Sequence, residues 1–264
     1  MSGQQLFQID AFTGQLFAGN PAAVVPLQEW LDDSVLQAIA AENNVPETAF
    51  FVPSGSGFRL RWFTPETEVK LCGHATLAAA FVLFTELEPD RTEISFDSLS
   101  GNLQVWRSGN RLTMRFPRWE LERLSGHPAA LVAGLGVEPV ELLTVPTRDN
   151  FFAVMESEAQ VLSIRPDFDA LKTLHPAGVV VTARGEQSDC VCRYFAPSYG
   201  IAEDPGTGSI HCGLVPYWSQ RLSQDQIHSR QVSDRGAEFH CELLADATLI
   251  SGQAVKYLSG HIDY

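Results

Sequence analysis

The chain has 264 residues, 45% of them hydrophobic, enough apolar side chains for one large or two ordinary cores. With 32 Asp and Glu against 18 Lys and Arg, the formal net charge is −14, so the clustered cations that a phosphate backbone requires are missing and nucleic acid is excluded as a partner. Residues 1–5 carry neither the basic nor the apolar part of a secretory leader, and the apolar run at 71–84 is short and contains His74, so no membrane is expected either.

In chain order, strand-like segments at 6–12 and 22–25 come first. A helix follows, capped by Asp32 or Asp33, with Val35, Leu36, Ile39 and Ala40 at helical spacing and Asn43-Asn44 then Pro46 as its stop. Strands are expected at 48–52 and 58–63. Residues 77–84 are apolar on every side and predict a helix surrounded by protein. Strands at 93–96, 102–106 and 111–116 close the first half. The second half repeats the plan with strands at 141–145 and 151–155, a short helix from Pro166-Asp167 through Leu174, and strands at 179–182, 191–195, 238–244 and 247–250. Its apolar run at 210–218 contains Pro216, which removes a helical hydrogen bond and is expected to kink or end the helix early. Residues 252–258 complete a sheet, returning to the first half. The pattern is β-rich α+β and not doubly wound.

The halves are copies. Arg61-Trp62-Phe63-Thr64-Pro65, leading to Gly73-His74-Ala75-Thr76, returns as Arg193-Tyr194-Phe195-Ala196-Pro197, leading to Gly206-Thr207-Gly208-Ser209. Asn20-Pro21-Ala22-Ala23-Val24 returns as Asn150-Phe151-Phe152-Ala153-Val154, and Pro46 as Pro176. A period this long means two globular halves rather than a solenoid. The boundaries are read as 1–118, with the C-terminal strand 252–264, and 119–251. Each copy carries a small-residue turn that opens an apolar helix, and two helix N-termini suit an anion.

The chemistry concentrates where the copies differ. Glu47 lies between a polar helix end and an apolar strand, and the residue after Pro176 is Ala177, so it has no counterpart. Beside a desolvated pocket its pKa rises toward neutrality, which suits a general acid/base; the alternative is a solvated loop glutamate. In Glu203-Asp204-Pro205-Gly206-Thr207-Gly208-Ser209, capping alone explains Asp204, Thr207 and Ser209 but not two glycines. Free N–H groups from Gly206 to Ser209 would hold a carboxylate beside Asp204, and the segment lacks the Gly-Lys-Ser/Thr of a nucleotide loop. His74 opens the other helix, where the dipole favours its neutral form; His127, His175, His211, His228, His240 and His261 have no such setting. Five cysteines, 72, 190, 192, 212 and 241, are an odd number that fits a reducing cytoplasm. Cys190-x-Cys192 with His211-Cys212 matches no common zinc spacing, so these cysteines read as core filler and no metal is expected.

Asp10-Ala11-Phe12-Thr13, Gly19-Asn20-Pro21-Ala22-Ala23-Val24, Pro46-Glu47-Thr48-Ala49-Phe50, Arg61-Trp62-Phe63-Thr64-Pro65, Leu71-Cys72-Gly73-His74-Ala75-Thr76 and the Glu203–Ser209 segment, extended by Arg193-Tyr194-Phe195-Ala196-Pro197 and Tyr217-Trp218-Ser219-Gln220, together resemble the phenazine-biosynthesis PhzF family over essentially the whole chain. The resemblance implies a diaminopimelate-epimerase-like α+β fold: two pseudo-symmetric halves, each a barrel-like mixed sheet around a central helix, with the site in the cleft. It implies a cofactor-independent isomerase, commonly a homodimer, acting on a small cyclic or unsaturated carboxylate. Glu47 would move the proton with His74 and Asp204 beside it, and Asn20, Gly73, Gly206, Thr207, Gly208 and Ser209 would hold the substrate. The wider superfamily's two-cysteine racemases are disfavoured, because Cys72 stands at the first position and Pro205 at the second. The other readings are a non-catalytic binding or interaction protein on the same fold and, less favoured, an amino-acid epimerase sensitive to alkylation at Cys72.

Overall fold

The structure is a computed structural model describing residues 3–146 and 148–264; of the stretch 1–5 read above, Met1 and Ser2 lie outside the described residues. The chain divides into two compact units, Met1–Arg115 with Ile250–Tyr264, and Phe116–Leu249. Among the described residues no helix is long and apolar enough to cross a membrane.

The first unit contains β1 (Gln4–Ala11), β2 (Asn20–Pro26), α1 (Asp33–Asn43), β3 (Glu47–Ser54), β4 (Gly57–Phe63), β5 (Glu68–Val69), α2 (Gly73–Val82), β6 (Glu93–Ser98) and β7 (Gly101–Ser108), and β8 (Arg111–Pro117) runs out of it. β1 pairs antiparallel with β2, β2 parallel with β3, β3 antiparallel with β4, β4 parallel with β6, and β6 antiparallel with β7, while β5 folds back onto β4. The second unit contains β9 (Glu122–Arg123), α3 (Ala129–Leu135), β10 (Glu141–Val145), β11 (Arg148–Val154), α4 (Glu158–Ser163), α5 (Phe168–Lys172), β12 (Gly178–Arg184), β13 (Cys190–Ala196), β14 (Ile201–Asp204), α6 (His211–Leu222), β15 (Gln226–Gln231) and β16 (Ala237–Leu243), followed by β17 (Ala247–Gly252). Its ladder repeats the alternation: β10 antiparallel to β11, β11 parallel to β12, β12 antiparallel to β13, β13 parallel to β15, β15 antiparallel to β16, and β14 folded onto β13. The internal duplication is therefore a duplication of topology. β18 (Ala254–Ile262) pairs antiparallel with β1.

Local sequence explains most elements. In α1, Leu36, Ile39 and Ala40 are buried, and Asn44 ends the helix in the left-handed conformation that asparagine tolerates. The expected cap is a backbone feature only: Asp32 is the N-cap but its side chain accepts no capping bond. Asp167, by contrast, caps α5 by accepting from the N–H groups of Asp169 and Ala170. In α2, every residue from His74 to Ala80, and Val82, is buried; truncating Leu77, which is fully buried, to Ala would cost about 2–5 kcal/mol.

Two points depart from the sequence reading for identifiable reasons: the early helix end at Pro216 is not seen, and one strand was not expected. Pro216 neither ends nor shortens its helix, since α6 runs on to Leu222. The carbonyl that a residue-216 N–H would have engaged, that of Cys212, instead accepts the backbone N–H of Trp119 at 2.9 Å. The strand β15 escaped notice because its sequence holds a single apolar residue, Ile227; its inward positions Ser229 and Gln231 are polar yet 0% and 1% exposed.

The Arg-aromatic-Phe repeats are structural clamps. Arg61 on β4 makes a two-pronged contact with Glu68 on β5, Nε to Oε1 at 2.7 Å and Nη2 to Oε2 at 2.8 Å. Arg193 on β13 does the same with Glu203 on β14, at 2.8 and 2.9 Å, and also donates to the carbonyls of Val161 and Ile164. Both guanidinium groups lie over the phenylalanine two residues on.

Candidate active site

In the first unit the parallel register that sets Ala22 beside Glu47 brings the starts of β2 and β3 together, and α2 begins against both. Three of the expected residues meet there. Oε2 of Glu47 is 3.0 Å from Nε2 of His74, with 12% and 7% of the two side chains exposed. The contact is close without the alignment of a hydrogen bond, and neither atom has another partner. The Asn20 side-chain amide nitrogen lies 3.2 Å from Nδ1 of His74, and Cys72 Sγ lies 3.5 Å from the same nitrogen. Gly73 is the first residue of α2, and Cys72 its N-cap. The first N–H groups of that helix have no intrahelical partner and present a partial positive charge.

Burial penalises the Glu47 carboxylate, but the His74 charge and the nearness of the His74 and Cys72 donors prevail and hold its pKa below the ordinary 4.5. The expected rise toward neutrality is thus corrected. Burial likewise penalises the His74 imidazolium, yet negative charge at Cys72 and Glu47 holds its pKa well above the ordinary 6.5. Cys72 is itself pushed up to about 11, by burial and then by Glu47, so at neutral pH it is a thiol and Glu47 is the charge that matters. His74 is therefore not the neutral residue that the helix dipole alone predicts. Glu47, Cys72 and His74 lie near enough to serve as a metal donor set, in which Cys72 would first have to lose its proton.

The remaining expected residues, Asp204, Gly206, Thr207, Gly208 and Ser209, belong to the second unit. Asp204 ends β14 and the others form a turn ahead of α6 rather than its first turn: His211 N–H donates to Gly208 O and Cys212 N–H to Ser209 O, and the helix starts at His211. The Thr207 hydroxyl donates to Oδ2 of Asp204. The Thr207 N–H is not free, as expected above, but donates to Oε1 of Gln231 at 2.7 Å. Gln231 Nε2 donates in turn to Asp204 O and to the Thr207 hydroxyl. Beneath the turn, fully buried His211 places Nδ1 3.0 Å from Thr207 O and Nε2 2.9 Å from the Ser229 hydroxyl, and its ring stacks on Phe239. Burial lowers its pKa to about 4, so it is neutral.

Gln231, His211 and Ser229 are thus supporting residues that sequence reading missed. Nothing local in the sequence gives His211 a setting, and Gln231 and Ser229 sit on β15, a strand with a single apolar residue. Sheet register also corrects the counterpart of Glu47. Thr48 faces Phe63 in one ladder as Val179 faces Phe195 in the other, which aligns Glu47 with Gly178 rather than Ala177. A Cβ on Gly178 would stand 2.3 Å from the Tyr194 hydroxyl, which donates to Oδ1 of Asn150. A phenol held by Asn150 thus takes the space that a side chain at Gly178 would need.

Other recognised motif residues only pin α6: Tyr217 donates to Glu141, and Trp218 Nε1 to Thr182. A cavity of about 860 Å³ lined by Trp119, Glu141, Leu143, Tyr217 and Arg221 contains none of the expected site residues. Cys190 and Cys192 are buried on β13, and burial pushes the Cys190 thiol up to about 12.

A family model described as phenazine biosynthesis-like protein matches residues 9–260. The chain belongs to the PhzF-like family. An uncharacterized isomerase of Pseudomonas aeruginosa is 46% identical over 258 residues, covering 98% of each chain. The crystal structure of a PhzF-family phenazine biosynthesis protein from Enterococcus faecalis superposes with a TM-score of 0.95 at 41% identity, over 99% of this chain and 100% of that one. A probable proline racemase from Agrobacterium radiobacter shares the fold alone, with a TM-score of 0.65 at 11% identity over 98% and 93% of the two chains. The PhzF-like member described here thus has the diaminopimelate-epimerase-like α+β fold.

Proposed function

We propose that this PhzF-like protein is a cofactor-independent isomerase that moves a proton between carbons of a small cyclic or unsaturated carboxylate, with Glu47 as the general acid/base. The observation carrying the proposal is the buried Glu47–His74 pair, 3.0 Å apart, with Asn20 and Cys72 against the far ring nitrogen. A carboxylate held ionised and out of water, with Oε2 lacking an aligned donor, can take a proton from an acidified carbon. Once protonated it is an acid that returns the proton to another carbon on the same face, so one residue suffices. His74 balances charge as Glu47 gains and loses its proton.

Proton transfer of this kind contributes about 100-fold to 10,000-fold, and dipoles aimed at the developing enolate supply more. The α2 N-terminus at Gly73 suits that role. Asp204 is proposed as a polar assistant, and Gly206, Thr207, Gly208 and Ser209 as holders of the carboxylate. The relatives named as isomerases support the reaction class for this chain. Five free, buried cysteines suit a reducing cytoplasm, and a homodimer is proposed, to be read by light scattering.

The test is a thermal-shift screen of cyclic and aromatic carboxylates, followed by NMR of each binder in deuterated water. Wild type should exchange substrate hydrogen for deuterium, and Glu47→Gln should bind without exchanging. Exchange by the variant would overturn the role of Glu47. Binding by wild type without exchange would favour a non-catalytic binding protein. A Cys72-based epimerase is disfavoured because the thiol is buried and protonated.

A further inference from the structure

Away from the residues just discussed, the β15–β16 ladder sets His228 directly opposite His240 and Arg230 opposite Glu238. Side chains alternate across a strand, so His228, Glu238 and His240 share the face opposite to Ser229 and Gln231. The two imidazoles stack with centroids 4.8 Å apart and planes 6° from parallel. Nε2 of His228 lies 2.7 Å from Oε1 of Glu238. One donor atom from each of the three residues lies within 4.8 Å of the other two. The face is reachable, the His228 and Glu238 side chains being 30% and 55% exposed.

Cross-strand packing accounts for a histidine stack or a His–Glu contact as separate pairs. It does not call for three metal-binding donors to converge. We propose that His228, Glu238 and His240 form a surface site for a divalent transition metal of the zinc type. Two imidazoles and one carboxylate suit Zn²⁺, Cu²⁺ or Ni²⁺, whereas Ca²⁺ and Mg²⁺ take oxygen ligands.

Metal–ligand bonds of about 2.0–2.2 Å require donors about 3.4 Å apart in a tetrahedron. The more distant donors, at up to 4.8 Å, must close while the 2.7 Å His228–Glu238 pair opens, each by about 1 Å, which rotation of partly exposed rings about their soft terminal torsion provides. Water completes the coordination. Arg230, across the ladder from Glu238, opposes added positive charge, while Asp189, whose Oδ2 accepts the His228 backbone N–H at 2.8 Å, counters it. The site is therefore open and of moderate affinity. The strand that carries it holds Thr207 from its other face, through Gln231.

Full-length protein titrated with ZnCl₂ by calorimetry should bind one ion. In ¹⁵N-resolved NMR, the imidazole signals of His228 and His240 should move before those of the other histidines. His228→Ala and His240→Ala should each weaken binding at least about tenfold, and Glu238→Gln should weaken it while leaving the fold intact by circular dichroism. Absence of saturable binding overturns the proposal. So does first movement of other imidazole signals, or a His228→Ala/His240→Ala double variant that binds as wild type does. The NMR readout on wild type keeps the question decidable if a variant fails to fold.

Discussion

Two buried histidines stand at the starts of the two repeated helices, His74 in α2 and His211 in α6, and one is charged while the other is neutral for a simple reason. Both rings are out of water, so burial disfavours the imidazolium at each. His74 faces the Glu47 carboxylate, which reverses the penalty. His211 faces a hydroxyl and a backbone carbonyl, which cannot, and it stays neutral with a pKa near 4. Burial alone does not decide charge; the partner does. One copy of the unit thus holds an ion pair suited to proton transfer, and the other a neutral network suited to holding a turn in shape.

The largest effect that would break this comparison is at Glu47. Glu47→Gln should lower proton exchange on any carboxylate substrate by about 100-fold to 10,000-fold. It should also lower the pKa of His74, since the Glu47 charge is one of those that oppose burial there, as read by imidazole NMR. A His74 that stays protonated in this variant would show that something other than Glu47 sets its charge.

The clamps should differ in a similar way. The Arg193 side chain is 11% exposed and also satisfies two carbonyls, while the Arg61 side chain is 20% exposed. Arg193→Ala should cost about 3–5 kcal/mol in denaturant melts, by stranding buried partners. Arg61→Ala should cost clearly less.

Acid titration separates the histidines next. The folded pKa of His211 is depressed from 6.5 to about 4, so the unfolded chain binds the extra proton first. Stability should fall as pH drops from 6.5 to 4, by about 3 kcal/mol from this residue. His74, raised above 6.5, acts oppositely: its contribution is full below 6.5 and lost as pH rises through its folded value. His211→Asn should therefore flatten the slope between pH 4 and 6.5. Glu47, depressed below 4.5, loses its contribution only as pH falls below that value.

The smallest effect is at Pro216. Mid-helix proline ordinarily costs about 3 kcal/mol relative to alanine, but Cys212 O already accepts the Trp119 N–H. Pro216→Ala should gain less than about 1 kcal/mol, and a gain near the full value would show that the Trp119 bond does not compensate.

By itself the sequence determined the elements whose apolar spacing matches their secondary structure, such as α1, the apolar body of α2 and most strands of both ladders. It also carried the duplication, because repeated Arg-aromatic-Phe and glycine motifs survive as text. Glu47 and His74 could be picked out as departures from that repeat, and Asn20 through the family resemblance. Only the tertiary structure decided that these three converge, and that Gly178 with Tyr194 fills the equivalent place in the other unit, because register is fixed by pairing between strands distant in sequence. It likewise decided the roles of Gln231, Ser229 and His211, polar residues buried because each finds partners across the fold, which no local pattern encodes. The charges of the two histidines belong to the same class, since a pKa is set by the neighbours that folding supplies.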